Sequence, residues 1–97
     1  MKIEYHPAIE PELEGIIAHY NQCAAGLGDE FLREFDRHIQ AVAARPYHWV
    51  VVQGDIRRSL MRRFPYVIYF RLVHEEILRI TVVKHQRRHP RRGLQRK

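Results

Sequence analysis

The order of apolar and polar residues along the chain changes period twice. In KIEYH, residues 2 to 6, Ile3 and Tyr5 alternate with Lys2, Glu4 and His6, the period of two expected of a half-buried strand, and Pro7 stops the run. From about residue 8, Ile9, Leu13, Ile16, Ile17 and Tyr20 recur at helical spacing. Glu10, Glu12 and Glu14 lie near the N-terminal end, where the helix dipole favours negative charge. This predicts a first helix ending near Ala24 or Ala25. GLGD, residues 26 to 29, then offers a glycine for a left-handed cap and Asp29 as an N-cap. Phe31, Phe35, Ile39 and Val42 form a second apolar stripe, which Pro46 closes. Helices joined by so short a turn form an antiparallel hairpin.

Beyond the loop RPYHWVVVQGD the period shortens again. IRRSLMRRF (56 to 64), YVIYFRL (66 to 72) and ILRITVV (77 to 83) are rich in β-branched and aromatic residues, and a proline and the polar turn at HEE separate them. They are expected to be antiparallel strands. YVIYFRL is apolar on nearly both faces, the mark of a central strand with helices on one side and other material on the other. The fold class is therefore α+β: an N-terminal strand and a helical hairpin packed on a small antiparallel sheet. With no repeats and no linker, residues 1–97 are expected to form a single domain, with a basic tail from 85 to 97.

Matching faces predicts a register. If Ile68, Phe70 and Leu72 share the core face with Leu78, Ile80 and Val82, then Phe70 pairs with Ile80 and Leu72 with Leu78. Arg71 then sits opposite Arg79, a like-charge pair that costs a few tenths to about 1 kcal/mol unless the two side chains splay into water or an anion sits between them. Arg57, Arg58 and Tyr69 are placed close by, so the outer sheet face and the tail are expected to form one basic surface.

Charge sharpens this picture. Residues 1–56 hold four Lys or Arg against nine Asp or Glu, whereas residues 57–97 hold thirteen against two, which together give the net +6. A basic half on a small domain attracts nucleic acid, an acidic protein segment or an acidic surface. Cys23 is the only cysteine, so neither an internal disulfide nor a Cys-based zinc site is possible within the chain. The N-terminal residues lack an apolar signal core, and no apolar run approaches the roughly 20 residues of a membrane span. A soluble, cytoplasmic protein with no membrane partner is expected.

Candidate chemistry is sparse. His85 and His89 have a helical metal-ligand spacing, but Arg87, Arg88, Arg91 and Arg92 surround them and disfavour a cation. Two-metal nuclease chemistry needs clustered carboxylates, and the basic half has only Glu75 and Glu76. Ser59 is the only serine and lies in no GxSxG elbow; Trp49 reads as a core or loop anchor. The pairs Arg57-Arg58 and Arg62-Arg63 read equally as a solvated edge or as an anion grip. No metal or cofactor is expected. Metal-free phosphodiester cleavage by His, Tyr and Arg stays open.

GLGDEF, the arginine pairs before FPYVIYFR and the terminal KHQRRHP together resemble toxins of the RelE/ParE superfamily, the toxin half of type II toxin-antitoxin modules, and especially its ParE-like plasmid-stabilisation members. The similarity runs from about Pro7 to Pro90 and implies a helical hairpin on an antiparallel sheet. In the RelE-like branch it implies a ribosome-dependent mRNA endonuclease, with an arginine opening the strand YVIYFRL and an Arg or His after the last strand. Here Tyr66 stands in the first position and His85 in the second, followed by Gln86 where some nucleases have Tyr. The ParE-like branch inhibits DNA gyrase, and the apolar strand opening and the His-Gln pair resemble it more closely.

The resemblance thus implies a gyrase-binding toxin neutralised by the acidic segment of a cognate antitoxin, with a ribosome-bound mRNA nuclease or a nontoxic nucleic-acid-binding relic as alternatives. Residues expected to meet target or antitoxin are Arg57, Arg58, Arg62, Arg63, Tyr66 and Tyr69, together with Arg71, Arg79, Gln86, Arg87 and Arg88. His85 would be the acid or base of the nuclease alternative.

Overall fold

The computed structural model describes residues 1–97. Strand β1 (Lys2–Tyr5) leads into helix α1 (Ile9–Cys23) and helix α2 (Leu27–Ala44), and a short 3-10 turn at Pro46–His48 follows. Strands β2 (Val50–Gln53), β3 (Ile56–Leu60), β4 (Tyr66–Val73) and β5 (Ile77–His85) complete a five-stranded sheet of order β1-β5-β4-β3-β2. The α+β class and the helical hairpin agree with expectation. The sheet differs in two respects. β1 runs parallel to β5, because the chain crosses through the hairpin before it returns, and the VVV of the supposed loop forms the edge strand β2. The first of the predicted strands also stops at Leu60, short of Phe64.

A close approach fixes the hairpin. Gly26 takes the left-handed conformation at φ 82°, as its position predicts. Gly28 lies so near α1 that a Cβ there would meet the carbonyl oxygen of Ile17 at 2.2 Å. Its N–H instead donates to Asn21 Oδ1 at 2.8 Å, so a side chain of α1 satisfies an orphan donor of α2. The cap expected from Asp29 is thus supplied by Asn21, and Asp29 is left in the first turn as a dipole charge.

One face of the sheet carries the main core. Ile9, Phe31, Phe35, Ile39 and Val42 of the helices meet Ile68, Phe70, Leu78, Ile80 and Val83 of the sheet. Aromatic rings pack edge to face at its end, with Phe31 and Phe64 centroids 5.2 Å apart at 82° and Tyr20 and Phe64 5.1 Å apart. Each such pair adds about 0.5–1.5 kcal/mol beyond area burial.

The register predicts Phe70 opposite Ile80 and Leu72 opposite Leu78, and both pairings occur. Beyond them Tyr69 pairs with Val82, so Thr81 is the extra residue of a bulge, its hydroxyl donating to the Tyr69 carbonyl at 3.3 Å. The bulge reverses the alternation. Val83 faces the helices, and Val82, expected in the main core, faces outward into a second cluster with Ile56, Val67 and Tyr69.

The C-terminal segment covers that second cluster. Leu94 packs on it, and Gly93, at φ 88°, comes so close that a Cβ would meet Val82 Cγ2 at 2.5 Å. No helix of the chain is long and apolar enough to cross a membrane.

Candidate functional site

The segment that follows β5 is a folded strap. Lys84, on the outward face, is 7% exposed, and its ammonium donates to the carbonyl oxygens of His89 (2.8 Å), Pro90 (3.1 Å) and Arg92 (3.0 Å). An ammonium has three donors, and here all three are used. The same nitrogen lies 4.3 Å from the centre of the Tyr69 ring, whose hydroxyl donates to Pro90 at 2.6 Å. Arg96 closes the far end against Glu12 and the Thr81 carbonyl. Sequence reasoning placed Tyr69 on a binding surface. It is 3% exposed and forms the seat of the strap.

The turn that joins β5 to the strap gathers several of the predicted residues. The Gln86 N–H donates to the Pro65 carbonyl and the Arg88 N–H to that of His85, which holds the turn against the start of β4. Tyr66 and His85 are cross-strand partners with ring centroids 5.4 Å apart. On the α1 side they line a cleft of about 290 Å³ with His19, Lys84, Arg88 and Arg92. On the β3 side, Gln86 and Arg58 share a second cleft of about 310 Å³ with Leu60 and Val67. Arg58, Arg87 and Arg88 are exposed, and none of them belongs to the chain's five ion pairs.

The other predicted residues lie apart from this turn. Arg71 and Arg79 are opposite one another as expected, but each has its own carboxylate. Arg71 contacts both oxygens of Asp55 at 3.0–3.2 Å, and Arg79 reaches Glu4 at 3.3 Å. The like-charge strain is relieved inside the chain, so these arginines are not an unneutralised anion seat. Arg57 points to the helix side of the sheet and donates to the Trp49 carbonyl at 2.6 Å. Arg62 and Arg63 face α2, where Arg63 approaches Glu30 at 3.4 Å. Trp49 is half-buried against the main core, in keeping with an anchor. The single basic surface expected from the sequence is thus three groups, of which the Gln86–Arg88 turn with Arg58 has the most unpaired charge.

The protonation states limit what the turn can do. Burial pushes the Tyr66 phenol above its ordinary value, and the neighbouring Tyr20 adds to the shift while Arg88 opposes it. At neutral pH this phenol stays protonated and cannot serve as a base. His85 accepts the Arg87 N–H on Nδ1 at 3.1 Å, so the neutral ring carries its proton on Nε2 and presents a donor. His89 is fixed in the same way by the Arg91 N–H, so Nδ1 of neither histidine is free for a metal ion. The turn offers guanidinium, amide and imidazole donors to an anion.

Sequence reasoning missed three participants. Lys84 holds the strap, Tyr20 meets the Tyr66 ring edge to face with centroids 6.2 Å apart, and His38 joins its Nε2 to Ser59 Oγ at 2.8 Å. A lysine flanked by apolar strand residues was the signal for the first; the other two come from contacts between distant elements.

The family model described as "ParE toxin of type II toxin-antitoxin system, parDE" matches residues 3–90. No curated protein matches the chain.

Proposed function

Because the chain belongs to the ParE toxin family of type II toxin-antitoxin systems, we propose that it is a cytoplasmic toxin that inhibits DNA gyrase by binding it. A cognate antitoxin, through an acidic segment, neutralises it. The observation that carries the binding reading is the state of the Tyr66–His85 pair: one ring is a buried, protonated phenol and the other presents an N–H. Neither is poised to take a proton from a ribose hydroxyl, which a metal-free ribonuclease requires.

The unpaired Arg58, Arg87 and Arg88 supply the attraction for an acidic segment, with Gln86 between them as a neutral donor. Charged contacts of this exposed kind mainly set the association rate and make it salt-dependent.

A second reading rests on the cleft beside α1. His85, Arg88 and Lys84 line it together, and a phosphodiester placed there would meet an acid and two cations. This is the ribosome-dependent nuclease, and the purified protein separates the two readings by whether it traps gyrase on cleaved DNA or cuts mRNA in the ribosomal A site.

A further inference from the structure

A separate cavity of about 440 Å³ opens between α2 and the turn from β3 to β4, lined by His38, His48, Trp49, Met61 and Arg62 among others. We propose that this cavity is a nucleotide site, which takes a flat heteroaromatic ring bearing a phosphate monoester. The ligand is either a free nucleoside monophosphate or the phosphorylated end of a single strand.

The charge balance points to an anion. Three arginines line the cavity. Arg37 is paired with the only lining carboxylate, Glu34, at 3.0 Å, and Arg63 with Glu30 at 3.4 Å. Arg62 is exposed and has no such partner. Its charge acts on the cavity wall: burial first, and Arg62 second, hold His38 below the ordinary imidazole value. A guanidinium without a carboxylate matches two phosphate oxygens through its planar fork.

The remaining walls point to a ring. His48 and Trp49 meet edge to face with centroids 5.1 Å apart, and the His38 ring lies tilted at 5.8 Å from the Trp49 centroid. Nucleobases stack on such rings with little regard to sequence. The Trp49 Nε1–H is shielded from solvent and so lies behind the cavity wall, and the His38 Nε2 is already engaged by Ser59. With Glu34 held by Arg37, the cavity is rich in donors and poor in acceptors. A bare anion would use Arg62 and leave the rings idle, while an apolar ligand would leave Arg62 unpaired. A base joined to a phosphate uses all of them.

Trp49 is the only tryptophan, so all indole emission comes from the wall of this cavity. The full-length protein is titrated with adenosine monophosphate, adenosine, inorganic phosphate and a 5′-phosphorylated single-stranded oligonucleotide. Adenosine monophosphate is expected to change the emission saturably, with adenosine and phosphate each binding at least about tenfold more weakly. Arg62→Gln, an exposed position, should weaken that binding about tenfold and leave the melting temperature unchanged. If the oligonucleotide matches the mononucleotide, the ligand is a strand end; if it fails where the mononucleotide binds, the ligand is the free nucleotide. Emission that adenosine monophosphate leaves unmoved at millimolar concentration, phosphate binding as tightly as the nucleotide, or unchanged affinity in Arg62→Gln would each overturn the proposal.

Discussion

The two faces of the sheet are built on different physics. The helix face is closed by rings and aliphatic side chains from two long helices, and Phe31, Phe70, Leu78 and Ile80 are wholly buried in it. The outer face has only four buried apolar residues, and an irregular segment covers them through one leucine, one glycine and the ammonium of Lys84. Hydrophobic burial accumulates with area, whereas a strap held by a few hydrogen bonds depends on each of them. The helix face therefore sets global stability. The strap face can open locally, and it is the face next to the unpaired arginines of the candidate site.

Breaking the helix face should have the largest effect. Phe70 is 0% exposed at the centre of the sheet, and Phe70→Ala should cost about 3–5 kcal/mol by denaturant titration. That is a large share of the roughly 5–15 kcal/mol available to a domain of this kind. A loss below about 1 kcal/mol would mean that the face collapses around the cavity and is not the rigid layer described.

Breaking the strap should cost less and act locally. Lys84→Met keeps the side-chain bulk and removes the donors to three carbonyl groups, for an expected loss of about 1–3 kcal/mol. The amides of Arg92, Leu94 and Arg96, each bonded within the strap, should exchange with solvent faster, while amides of α2 keep their protection. Equal acceleration in both regions would show that the strap is part of the global folding unit.

The smallest effect is expected at the arginine pair. The Arg71 side chain is 28% exposed and that of Asp55 57%, so their contacts are screened by solvent. Arg71→Ala should change stability by at most about 1 kcal/mol. A larger loss would assign these ion pairs a role in holding the outer face that the strap otherwise has.

The sequence made the helix face legible and left the strap obscure, for a physical reason. The stripes of α1 and α2 and the alternation in β4 repeat over many residues, and a period is visible without knowledge of partners. Phe70 opposite Ile80 and Arg71 opposite Arg79 followed from matching faces alone. The bulge at Thr81 broke that logic one residue later and turned Val82 outward. β2 was hidden because VVV between polar turns does not alternate, and each of its residues is exposed at the edge.

The strap has no period at all. Its signals were single residues, Gly93 and Leu94 in an otherwise basic stretch and Lys84 among valines, and each needs a partner in space to acquire meaning. The site was legible as residue types, in Tyr66, His85, Gln86 and the arginines. Which arginines were already neutralised depended on Glu4, Asp55 and Glu30, which are distant in sequence or on other elements.

The turn beside the strap is proposed to bind a target and not to cut one. This is tested most directly by incubating the purified protein with DNA gyrase and supercoiled plasmid, and in parallel with translating ribosomes, for wild type and His85→Ala. Wild type is expected to accumulate gyrase on cleaved DNA, the cognate antitoxin to reverse this, and His85→Ala to keep most of the effect. Loss of a general acid or base would instead lower a catalysed rate by about 10²–10⁴. Cleavage of mRNA in the ribosomal A site by wild type, absent in His85→Ala and with gyrase unaffected, would contradict the binding reading.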